Sequence, residues 1–123
     1  MKIGFIVNPI AGMGGSVGLK GTDNLYEKAI ELGAREVSQE RAREFLENSK
    51  EILKNFEILT VSGKMGENVL KECGLENFII VYKTKEKTDR YDTIESARIM
   101  LKNNVDILIF VGGDGTARDI VEA

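Results

Sequence analysis

Five residues near the end of the sequence, Gly112-Gly113-Asp114-Gly115-Thr116, place a carboxylate among three glycines directly after an apolar run. Glycines let the backbone approach a phosphate closely and adopt positive φ. A threonine at the mouth of a helix caps its first turn, and the free N–H groups there form an anion site. Asp114 is of the right type to accept the proton of a hydroxyl as that oxygen attacks phosphorus. The competing account is a tight strand-to-helix turn whose aspartate serves geometry alone. Gly-Gly-Asp-Gly is more constrained than such a turn requires, so the chemical reading leads.

A second glycine-rich stretch follows the first apolar run: Asn8-Pro9-Ile10-Ala11-Gly12-Met13-Gly14-Gly15-Ser16-Val17-Gly18. It is not a dinucleotide fingerprint, since Val17 stands where a third glycine or alanine belongs. It is not a Walker A loop either, because Gly18-Leu19-Lys20-Gly21-Thr22 has the wrong order and spacing. Taken alone it reads equally well as a surface loop. Set on the same sheet edge as the first loop, it becomes part of one phosphate site. The candidate contacts are then Asn8, Gly12, Gly14, Gly15, Gly112, Gly113, Gly115 and Thr116.

Composition narrows the chemistry further. The chain of 123 residues has no histidine and one cysteine, which excludes Ser–His and Cys–His catalysis, disulfide frameworks and thiolate or imidazole zinc sites. Acid–base chemistry must come from Asp, Glu, Lys, Tyr or water. No metal-ligand set can be assigned. The net charge of −3 argues against a nucleic-acid partner, because backbone affinity comes from clustered Lys and Arg. Nucleotide phosphates can still be held by backbone N–H groups. No apolar run is long enough to span a bilayer, and a secretory h-region is absent. The expected protein is cytoplasmic, with no membrane partner. Acidic residues between 27 and 51 read as a solvated helix face, Cys73 as core, and Lys83 to Thr88 as a solvated loop on the same sheet edge.

The elements that must carry these loops alternate. Near-continuous apolar runs predict strands at 2–7, 56–61, 78–82 and 106–111, each buried on both faces as in a parallel sheet. Helical periodicity predicts a short helix near 24–32 and a longer one over 38–53. Ser38 is the cap of the second, and its apolar stripe runs through Ala42, Phe45, Leu46, Ile52 and Leu53. Further helices are expected over 65–73, stopped by Gly74, over 88–102 with Ile94, Ala97, Met100 and Leu101 inward, and from Thr116 onward. Strand–helix alternation implies right-handed crossovers. The expected fold is a three-layer α/β domain with a parallel, Rossmann-like sheet in the order 3-2-1-4. The sequence stops soon after Thr116, which leads us to expect a further domain outside these residues.

These residues carry a family resemblance. Gly112-Gly113-Asp114-Gly115-Thr116 resembles the signature of the superfamily of NAD kinases, diacylglycerol and sphingosine kinases and 6-phosphofructokinases. Ile6-Val7-Asn8-Pro9 resembles the opening of its lipid-kinase branch. The string from Val7 to Gly15, then Val17 to Asp23, with Met65-Gly66-Glu67, Asp92-Thr93 and Gly115 to Asp119, is similar to the AcoX-like group of ATP- or polyphosphate-dependent NAD kinases. The resemblance spans essentially the whole chain. It implies an N-terminal nucleotide-binding domain over 1–123, normally completed by a C-terminal β-rich domain, and a kinase acting on a hydroxyl of NAD or a related small molecule. It implies Asp114 as the catalytic base and the two glycine loops as the phosphate cradle. Mg²⁺ and ATP or polyphosphate are the implied cofactor and donor. A lipid or sphingoid-type kinase and a non-catalytic nucleotide-binding protein are the alternatives. At full length a homo-oligomer is expected, and the chain alone is expected to be inactive.

Overall fold

The computed structural model describes residues 1–9, 37–84 and 88–123, with Asp114 described in its backbone only. Four strands rich in Ile, Val, Leu and Phe lie where the apolar runs place them: β1 (Lys2–Val7), β2 (Glu57–Val61), β3 (Phe78–Tyr82) and β4 (Ile107–Val111). They form one sheet in the order β3-β2-β1-β4. All three pairings are parallel, with Phe5 of β1 between Thr60 and Ile109. The expected order and direction are therefore observed.

Four described helices cover the sheet: α1 (Val37–Leu53), α2 (Glu67–Glu72), α3 (Arg90–Lys102) and α4 (Asp114–Glu122). Because strand side chains alternate between faces, β1 feeds two cores. Ile3, Phe5 and Val7 join Ile58, Leu46, Leu53 and Leu70 on the face covered by α1 and α2. Ile6 joins Leu59, Val61, Ala97 and Met100 on the other face, with Ile120 of α4 against them. Gly4 lies on β1 where α3 crosses closely, since a β-carbon there would sit 2.7 Å from Met100 Sδ. Three layers result.

The ends of the elements follow recognisable local chemistry. Asp89 caps α3, accepting from the amides of Tyr91 at 3.0 Å and Asp92 at 3.4 Å. Asp92 returns the bond through Oδ2 to the Asp89 amide at 2.9 Å, closing a capping box. Gly74 ends α2 at φ 79, with Gly74 N donating to Lys71 O and Leu75 N to Leu70 O, each at 3.0 Å. That is the Schellman pattern.

Some expectations are corrected. Ser38 lies inside the first turn of α1, which begins at Val37, so it is not the residue preceding the helix. The segment 65–73 is not one helix. A 3-10 turn over Gly63–Met65 precedes α2, and Gly66 between them has φ 151. A β-carbon on Gly66 would collide with Thr60 Oγ1, so the chain must break its helix there to pass over β2. Phe45, Ile52 and Leu101 are exposed, as are Ile79, Ile107 and Phe110 on the outer strands. Only β1 and β2 have neighbours on both sides, so burial on both faces holds for them and fails at the margins. The short helix near 24–32 lies outside the described residues. Among the described residues no helix is long and apolar enough to cross a membrane.

Candidate functional site

The chain leaves β1 towards β2 and β3 on one side, then returns to place β4 on the other. The strand order reverses between β1 and β4. In open α/β sheets a ligand crevice forms at such a point, beyond the carboxyl ends of the strands. Val7 pairs with Val111 there, and the next residues are Asn8 on one strand and Gly112-Gly113 on the other.

These two exits are bonded together. Asn8 N donates to Val111 O at 2.9 Å, and Asn8 Nδ2 donates to Thr116 Oγ1 at 3.0 Å. Thr116 is 2 % exposed. It stands third in α4, whose N-cap is Gly113 with no side-chain capping bond. The expected helix start at Thr116, and its role as cap, are therefore corrected. The helix opens two residues earlier, and the threonine turns its hydroxyl to Asn8. The first N–H groups of α4 lack intrahelical acceptors, as in any helix, and the positive end of its dipole faces the crevice.

The three glycines of this loop differ in what surrounds them. A β-carbon on Gly112 would lie 2.6 Å from Thr116 Cβ and 2.8 Å from Cγ2, so Thr116 itself demands the glycine. Gly113 has φ −103, open to any residue, and a β-carbon there would meet nothing within 4 Å among the described residues. The same holds at Gly115, in a first helical turn where alanine would be more stable. Neither conformation nor described packing accounts for these two glycines.

The far end of α4 is tied to α3. Arg90 reaches Asp119 at 3.4 Å and Glu122 at 2.8 Å. Beside the crevice, the exit of β2 carries polar residues that sequence reasoning did not assign to the site. Ser62 Oγ accepts from Thr84 N at 2.8 Å. Glu67 Oε1 accepts from Gly63 N at 2.9 Å. That bond, followed by the Lys71 ammonium, holds the Glu67 carboxyl below its usual range. Burial, then the hydrogen bond to Asp92, pushes the Tyr82 phenol up. Tyr82 Oη donates to Asp92 Oδ1 at 2.9 Å. The sequence signals for this region were Met65-Gly66-Glu67 and Asp92-Thr93, cited for the resemblance.

Of the sequence-derived site residues, Asn8, Gly112, Gly113, Gly115 and Thr116 meet at one crevice, together with the backbone of Asp114. Gly12, Gly14, Gly15 and the Asp114 side chain lie outside the described part of the structure, as do residues 85–87 of the lysine-rich loop. Among the described residues no group of three His, Cys, Asp or Glu side chains is placed to hold a metal ion. The Mg²⁺ implied by the resemblance thus has no protein cage among the described residues.

Comparison with known proteins gives one match. The pattern of the family described as the ATP-NAD kinase N-terminal domain matches residues 3–123. No curated protein and no solved structure matches the chain.

Proposed function

Because the chain belongs to the ATP-NAD kinase N-terminal domain family, we propose that it is the nucleotide-binding part of a phosphotransferase. The reaction moves a phosphoryl group from ATP or polyphosphate to a hydroxyl of NAD or a related small molecule. The observation that carries this reading is the pair Gly113 and Gly115 on either side of Asp114. Both leave open space among the described residues, and both sit where the strand order reverses. Glycines that the fold does not require are what close approach of a phosphate requires.

Phosphoryl transfer depends on positioning and charge stabilisation more than on covalent chemistry. In the proposed site the N–H groups opening α4 hold phosphate oxygens, and Asp114 takes the proton from the attacking hydroxyl. No histidine is needed for this. The test is Asp114→Asn in a protein carrying this domain, assayed for phosphorylation of NAD and titrated with ATP. Turnover is expected to fall roughly a hundredfold or more, the scale of a lost general base, with ATP affinity little changed. Parental turnover in the variant would leave Asp114 a turn residue only.

A further inference from the structure

We propose that Asn8, Gly112 and Thr116 form an internal clasp that fixes the first turn of α4, leaving Gly113, Asp114 and Gly115 to meet the ligand. This division deepens the phosphotransferase reading above and rests on it. Signature loops of this kind read from sequence as uniform phosphate cradles. The structure splits this one into a half facing the protein and a half facing outward.

The inward half is defined by contacts. Thr116 is 2 % exposed, with its hydroxyl oxygen bonded to Asn8 Nδ2 at 3.0 Å. Its methyl and Cβ occupy the place a side chain at 112 would need. The missing side chain of Gly112 is therefore filled by Thr116, not kept clear for a phosphate. Asn8 adds a backbone bond to Val111 O at 2.9 Å, so one residue holds both the end of β4 and the start of α4. The outward half is defined by space: nothing described lies within 4 Å of a β-carbon at 113 or 115.

The clasp matters because reacting groups must be held to well under an ångström. Another tie on α4, Arg90 with Asp119 and Glu122, joins an arginine side chain that is 47 % exposed. Such a pair is screened by water and salt and tolerates movement. The bond between Asn8 and Thr116 is partly buried, so losing the Asn8 side chain removes the donor that meets Thr116 Oγ1. Asn8 and Thr116 are accordingly positioning residues for Asp114.

The test uses a ¹⁵N-labelled protein carrying this domain in five forms: parent, Asn8→Ala, Thr116→Val, the double variant and Gly115→Ala. Amide spectra and hydrogen exchange are recorded without ligand and during titration with ATP and Mg²⁺. Without ligand, Asn8→Ala and Thr116→Val are each expected to shift the amides of residues 113–117. Each should also speed exchange of the hydrogen-bonded amides of residues 8 and 117 roughly tenfold, as for a lost partly buried hydrogen bond. The double variant should be no worse than the worse single, because both remove one bond. Gly115→Ala should leave the unliganded spectrum otherwise unchanged and weaken ATP binding roughly tenfold or more. Asn8→Ala cuts the bond without touching α4, so the proposal stays testable if Thr116→Val does not fold. Unshifted amides in unliganded Thr116→Val, with weakened ATP binding, would make Thr116 a ligand contact and overturn the clasp. Additive effects of Asn8→Ala and Thr116→Val would overturn it too. A parent that shows no response to ATP would sink the phosphotransferase reading alone, since the unliganded spectra still decide the clasp.

Discussion

Single glycines in this chain serve different masters, and only the structure separates them. Gly66 is demanded twice, by φ 151 and by Thr60 beneath it. Gly66→Ala is expected to cost about 3 kcal/mol or more, from backbone strain plus overpacking. Gly63 has φ 62, and a β-carbon there would meet nothing within 4 Å among the described residues. Gly63→Ala should cost only the left-handed penalty, roughly 1–2 kcal/mol. Urea denaturation of both variants checks the contrast, and equal losses would refute it. Gly112 and Gly113 show why sequence alone could not make such distinctions. They are adjacent and identical in type, yet a β-carbon on one would meet Thr116 and on the other nothing among the described residues. What differs is the position of a side chain four residues away, which pattern reading does not supply. The same gap hid the meeting of Asn8 with Thr116 across 108 residues.

At the scale of the element, the features that were legible are those written in neighbouring residues. Gly74 after Cys73 spells a helix stop, and it is in place; the capping box of Asp89 with Asp92, equally local, was not among the expectations. The start of α4 was not legible, because Thr116 is a good cap by type and was claimed instead by a distant partner. The turn from β2 into α2 was equally hidden, since Thr60 is what breaks that helix. This turn also carries a pH-sensitive contribution. The Glu67 carboxyl is held below its usual range by the Gly63 amide and then by Lys71. A folded pKa below the unfolded one means that the carboxylate stabilises at neutral pH. That contribution is lost as pH falls through the folded value. Glu67→Gln is expected to cost about 1 kcal/mol at neutral pH. The gap should close as the solution is acidified below the ordinary carboxylate range. Denaturation midpoints of the two proteins across that range test this, and a gap that widens on acidification would contradict it.

For the molecule as a whole, the sheet divides the interior into two apolar clusters, one containing Leu46 and the other Met100. Both side chains are fully buried. Leu46→Ala and Met100→Ala are each expected to cost 2–5 kcal/mol, roughly the range for such truncations. Because the sheet stands between them, their effects should add to within roughly 0.5 kcal/mol. A large coupling in the double variant would show that the two faces respond as one. Strand direction was legible because alternation and handedness are global rules needing no side-chain detail, and the order 3-2-1-4 is that of the Rossmann-like pattern. The exposed Ile79, Ile107 and Phe110 were not, since a pattern of apolar residues does not reveal which strands end up at the margins.

The placing of β1 at the junction of both halves has a consequence for how the protein is made. Asn8 leaves the ribosome long before Thr116, its hydrogen-bond partner 108 residues later. At roughly 5–20 residues per second, that interval is about 5–20 s. During it, β1 can pair with β2 but has no neighbour on its β4 side. The crevice is thus completed only when β4 and α4 have been synthesised and have closed a long loop, a slow class of contact in folding. A nascent chain halted before β4 carries the buried residues of both clusters but no crevice, so ligand cannot stabilise the intermediate. Whatever binds at the crevice acts only on chains synthesised through α4.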